Sequence, residues 1–129
     1  MKYLFGLLVA AALIYGGKLY FKKPAETKPV ETVITNETGV KIFNVSGANF
    51  RFDPKTITVK KGDKVRIVFK SLDMMHDWDI TELGVDSPVT VAGETSEFEF
   101  TADQAGEFEY FCSVGQHRTN GMVGTLVVE

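Results

Sequence analysis

Residues 106–129 read GEFEYFCSVGQHRTNGMVGTLVVE. Phe108 and Tyr110 alternate with Glu107 and Glu109, the period of a strand with one dry face and one wet face. Cys112 continues the series 108, 110, so its thiol is expected on the dry face. The nine residues that follow contain Gly115, Asn120 and Gly121 and read as a loop. Met122 then opens an apolar run, 123–128, that anchors the far end of the loop in a sheet. Cys112, His117 and Met122 are thus spaced Cys-x4-His-x4-Met. A loop of that length can fold the imidazole and the thioether back toward the sulfur.

The same two-residue period runs outward through residues 40–129. Val65, Ile67 and Phe69 alternate with Lys64, Arg66 and Lys70 around Val68, Ile57 and Val59 with Thr56, Thr58 and Lys60, and Phe98 and Phe100 with Glu97, Glu99 and Thr101. Turn signals fall between them at Asp53-Pro54, Lys61-Gly62-Asp63, Ser87-Pro88, Ala92-Gly93 and Ala105-Gly106. We expect about eight short strands, at 40–46, 56–60, 64–70, 76–81, 88–92, 96–101, 106–112 and 122–128. Evenly spaced short strands argue for an all-β sandwich or barrel, and about 90 residues can bury one modest core. The one helical candidate is a turn near 102–105.

The chain has one cysteine and two histidines. No internal disulfide can form, which leaves Cys112 as a packing residue, a nucleophile or a metal ligand. His76 lies in SLDMMHDWDI, just after the strand 64–70. In a sandwich that junction can reach the same end as the 112–122 loop. Taken singly, each residue has a plainer reading: an inert buried thiol, a surface His near a turn, a loop His and a core Met. Taken together they give two imidazole nitrogens and a thiolate in a plane, with a weak thioether on the axis. That is the coordination of a single type 1 (blue) copper ion, with metal ligands His76, Cys112, His117 and Met122. Cu(I) favours few, soft ligands, whereas Cu(II) favours more ligands in a tetragonal array. A site fixed between the two rearranges little when an electron arrives, so the barrier to transfer is small. Ligands mounted on a stiff sheet suit that purpose.

On these residues, 40–129 resembles the cupredoxin family of type 1 blue copper proteins. The loop spacing is similar to that of auracyanin and rusticyanin, longer than that of plastocyanin. The segment NFRFDPKTITVKKGDKVRIVF also resembles the family's early strands. The resemblance implies an eight-stranded Greek-key β-sandwich with copper at one end. It also implies that His117 reaches the surface through an apolar patch and serves as the electron port, with Met74, Val114 and Met122 near it. Two features depart from the family pattern. Val114-Gly115-Gln116 replaces the Pro-Gly common before the second His, and Asp77 stands where relatives often carry Asn. That Asn ties the first ligand loop to a Ser or Thr after the Cys. Ser113 matches the latter, and Asp77 is expected to accept in place of the Asn.

Ahead of the domain, the stretch LFGLLVAAALIYGG is uncharged. We read 1–21 as a transmembrane anchor, against the alternative of a cleaved signal segment. Spanning requires Lys18 to snorkel toward the headgroups. Residues 22–39, KKPAETKPVETVITNETG, read as a flexible linker about 20–25 Å long on average. Lys18, Lys22 and Lys23 follow the apolar run and only Lys2 precedes it, which weighs against export; the site chemistry weighs for it. The expected location is extracytoplasmic, periplasmic or on the outer face of a cell membrane. All 17 acidic residues but only 10 of the 14 basic ones lie after residue 23, a formal charge of −7, which excludes a nucleic-acid partner. The expected function is a monomeric electron carrier that docks with cytochromes or membrane redox complexes. The alternative is copper delivery or storage. No acid–base pair, phosphate loop or Ser-His-Asp arrangement is present, so neither an enzyme nor a small-molecule substrate is expected. A dinuclear copper centre would need two cysteines.

Overall fold

The structure is a computed structural model and describes residues 33–129. Its ten strands build two five-stranded sheets. In the first, β1 (Ile34–Thr35), β2 (Lys41–Ala48), β5 (Lys64–Ser71) and β8 (Thr95–Thr101) lie in that order, and β3 (Arg51–Asp53) pairs with β2. In the second the order is β4 (Thr56–Val59), β10 (Val123–Val128), β9 (Gly106–Phe111), β6 (Asp79–Ile80) and β7 (Val85–Asp86). β2 runs parallel to β5, and β4 parallel to β10; the other pairs are antiparallel.

Alternation decides what is buried. Phe43, Val45, Val65, Ile67 and Phe69 from one sheet meet Ile57, Val59, Tyr110, Leu126 and Val128 from the other, with their polar neighbours outside. Trp78 joins the layers. It stacks on Tyr110 of β9 at 4.8 Å and packs on Phe98 and Phe100 of β8. Gly124 leaves room for this aromatic layer, since a Cβ there would fall 2.1 Å from the Tyr110 ring.

The all-β sandwich is as expected; several boundaries are not. The strand expected over 76–81 contracts to β6, and that expected over 88–92 contracts to one bridge between His76 and Thr90. Pro88 has no N–H to give a ladder, and Val89 and Val91 on either side of Thr90 both face solvent. Residues 102–105 are not helical; the Ala102 N–H goes to the Asp63 carbonyl at 2.9 Å, and one 3-10 turn forms instead at Thr81–Leu83. Among the described residues, strand pairing begins at Ile34, inside the stretch expected to be linker, where the Asn36 side chain accepts from the N–H groups of Thr38 and Val40. The short strand β3 was not anticipated. The anchor expected at 1–21 and the start of the linker lie outside the described residues. Among the described residues, no helix is long and apolar enough to cross a membrane.

Candidate metal centre

β9 and β10 place three of the four expected ligands. Their last paired residues are Phe111 and Val123, and the Cys112 N–H then donates to the Met122 carbonyl at 3.2 Å. The chain therefore enters and leaves the ligand loop on one rung. Inside the loop, the Val114 carbonyl accepts from the His117 N–H, and the His117 carbonyl accepts from the Met122 N–H, each at 3.0 Å. Gly115 and Gly121 take positive φ, which glycine adopts without strain, so the loop turns where relatives carry Pro-Gly without needing the proline. Arg118 lies 3.8 Å over the Phe111 ring and pairs with Glu109, pinning the loop to β9.

The fourth comes from the other sheet's side. β5 ends at Ser71, whose hydroxyl donates to the Met74 carbonyl and turns the chain. His76 is then fixed by backbone bonds to Thr90 at 3.0 and 2.7 Å. Its ring is fully buried.

Three donor atoms converge. His76 Nδ1 and His117 Nδ1 are 3.1 Å apart, and Cys112 Sγ lies 3.8 Å from the first and 3.4 Å from the second. Metal–nitrogen bonds of about 2.0 Å and a metal–sulfur bond of about 2.3 Å, spread near 120°, would set about 3.5 Å between nitrogens and about 3.7 Å from nitrogen to sulfur. The donor set fits one ion. Met122 is fully buried behind the same loop, and Gly47 gives its methyl room: a Cβ there would sit 2.9 Å from both Met122 Cε and Phe69 Cζ.

The surroundings tune the donors. Burial pushes the Cys112 thiol up to about 11, against the pull of the Asp77 and Val114 amides. A bound cation reverses that balance, because a coordinating thiol loses its proton. Asp77 is buried and makes the expected tie: Oδ1 accepts from the Ser113 N–H at 2.5 Å, and Oδ2 from the Ser113 hydroxyl. Burial also raises the Asp79 carboxyl to about 6, with Asp77 and Asp86 adding to the rise.

Two contacts were not foreseen. Asp73 Oδ1 lies 2.7 Å from His76 Nε2, and the Phe50 ring meets the His117 ring edge-on at 5.1 Å. The Asp three residues before His76 was the available cue for the first, since ligating imidazoles commonly bond a carboxylate through their other nitrogen. Of the three residues expected near the His117 patch, Met74 is exposed, Val114 packs against the core and Met122 is fully buried. On the outer faces of β8 and β9, Glu99 pairs with Arg66 and Glu109 with Arg118.

A two-sheet β-sandwich that gathers two imidazoles and a thiol, with a buried thioether behind them, defines a one-copper site of the type 1 kind. The model of the cupredoxin-like domain matches residues 6–128, and the chain belongs to that family. It is 35% identical over 100 residues to the chloroplastic plastocyanin of Chlamydomonas reinhardtii, covering 70% of this chain and 66% of that protein. It is 32% identical over 119 residues to the copper-containing nitrite reductase of Neisseria meningitidis serogroup B, covering 84% of this chain but 30% of the enzyme. Auracyanin A of Chloroflexus aurantiacus, described as a blue copper protein, superposes with a TM-score of 0.60 at 26% identity, covering 68% of this chain and 98% of that one.

Proposed function

We propose that this chain carries single electrons on one copper ion held by His76 Nδ1, Cys112 Sγ, His117 Nδ1 and the Met122 thioether. The copper supplies the Cu(I)/Cu(II) couple. Every other task falls to the protein. β9 and β10 hold the thiolate and the thioether on one rung, the Thr90 bridge holds His76, and the buried site excludes water. A frame this rigid keeps the donors nearly still in both oxidation states. His117, half-buried in its loop, is the ligand nearest solvent and the exit for the electron. Redox proteins such as cytochromes or membrane complexes are the partners. The N-terminal apolar run anchors the domain outside the cytoplasm, and the domain works as a monomer and not as an enzyme. The kinship with plastocyanin and auracyanin A supports the carrier reading, whereas nitrite reductase is a much longer protein of which this chain matches less than a third.

The observation that carries the reading is the convergence of Cys112 Sγ, His76 Nδ1 and His117 Nδ1 within 3.8 Å of one another. Adding Cu(II) to the metal-free protein should produce an intense thiolate-to-copper absorption in the orange-red, absent in Cys112→Ser, and voltammetry should show a reversible one-electron wave. No band, or a band that survives in Cys112→Ser, would overturn the assignment. Ready loss of Cu(I) to an acceptor protein without a stable blue form would point to delivery instead.

A further inference from the structure

The turn between β2 and β3 has two central residues, Asn49 and Phe50, with Ala48 facing Arg51 across it. Both have positive φ, 49° and 57°. A two-residue hairpin of that kind favours Asn-Gly, because the second position suits a residue without a Cβ. Asn49 fits the rule. Phe50 breaks it, since a bulky side chain rarely tolerates that backbone. Conformations held against local preference concentrate where they serve a site.

What the turn touches accounts for the exception. The Asn49 N–H donates to Asp73 Oδ2 at 2.7 Å, and the other oxygen of the same carboxylate binds His76 Nε2 at 2.7 Å. An ionised carboxylate can only accept, so His76 carries its proton on Nε2 and presents the Nδ1 lone pair toward Cys112. The neighbouring residue, Phe50, lays its ring against His117 at 5.1 Å with the planes 74° apart. One strained turn thus reaches both imidazoles, one through a carboxylate and one through a ring. The parallel register Gly47↔Ser71 brings this about, since it sets 49–50 beside the 72–76 segment.

We infer that the Asn49–Phe50 turn and Asp73 are positioning residues for both histidine ligands: Asp73 locks the tautomer and orientation of His76, and Phe50 braces His117. The inference rests on the copper reading for its redox consequences but not for its geometry. A carboxylate on the far nitrogen makes the imidazole a stronger donor and favours Cu(II). A ring packed against a loop ligand slows that ligand's departure from the metal.

The test uses the full chain, metal-free and copper-loaded, with Asp73→Asn and Phe50→Gly. Asn keeps the shape of Asp73 but has one acceptor oxygen for two donors. Gly suits the positive φ, so the turn is retained without the ring. In the metal-free chain, imidazole nitrogen NMR should show His76 as the Nε2–H tautomer and a mixed population in Asp73→Asn. With copper, Asp73→Asn should keep the blue band, bind Cu(II) about tenfold more weakly and show a higher reduction potential. Phe50→Gly should release copper to a chelator between about twofold and tenfold faster. If the wild type is blue while both variants match it in tautomer, affinity, potential and release rate, the inference is overturned and the copper reading stands. If the wild type is not blue, the copper reading falls, and the His76 tautomer in the two metal-free proteins decides the positioning role by itself.

Discussion

The ligand loop 112–122 and the segment 71–76 reach the same site by opposite means. The loop carries three of the four side chains within eleven consecutive residues, tied at its base by one backbone rung. The segment carries His76 alone, sealed from solvent and held by partners from Thr90, Asp73 and the β2–β3 turn. The loop solves its geometry locally, whereas the segment depends on which strands lie side by side. A local arrangement can loosen without unfolding the sheets; a distributed one cannot.

The largest effect expected from that contrast is all-or-none. His117→Gly opens a cavity at the surface, so free imidazole in the millimolar range should enter and restore the blue band. His76→Gly opens one in the interior, and imidazole should not rescue it. Rescue of both variants, read by visible absorption, would show that the two histidines are held alike. Next comes the floor beneath the loop. Gly124→Ala drives a methyl into Tyr110 and should destabilise the protein by about 3 kcal/mol in urea unfolding.

A third test concerns Asp79, whose carboxyl sits near 6 when folded against an ordinary 3.8. The folded state therefore binds this proton more tightly than the unfolded chain does. Its contribution is fully present below about pH 4 and is lost as pH climbs through about 6, at most about 3 kcal/mol in all. Asp79→Asn should flatten that decline in thermal unfolding of the metal-free protein and be the more stable form at pH 7. An unchanged slope would show that burial does not trouble this carboxylate. The smallest effect is at the tie between the two regions. Asp77→Asn loses one acceptor for Ser113 and one negative charge near the metal. Its reduction potential should rise by about 40 mV, the one-electron equivalent of about 1 kcal/mol. A potential that is unchanged or lower would count against Asp77 as a stabiliser of Cu(II).

The same contrast explains what could be read from the sequence. Cys112, His117 and Met122 were legible because strand parity and loop chemistry are local, and Phe108, Tyr110 and Cys112 do share a dry face. His76 followed because the chain offers no other imidazole. Asp73 left only a local cue, its place three residues before His76, whereas the Asn49 and Phe50 contacts were not legible, for they exist only through the parallel pairing of β2 with β5. Alternation tells which side of a strand is dry, not which strand is its neighbour. Strands 76–81 and 88–92 were overdrawn for a related reason. Their apolar residues are buried by Trp78 packing or left exposed at Val89 and Val91, and neither case requires a ladder.

The rung from the Cys112 N–H to the Met122 carbonyl has a consequence for how such a protein can change. The nine intervening residues begin and end at one fixed doorway, so a shorter or longer insert has a single gap to bridge, and closure entropy varies only slowly with its length. The frame need not be rebuilt when the insert is exchanged. Lineages, or engineers, can therefore swap this cartridge to move the ion's preferred charge while the sandwich below is left alone.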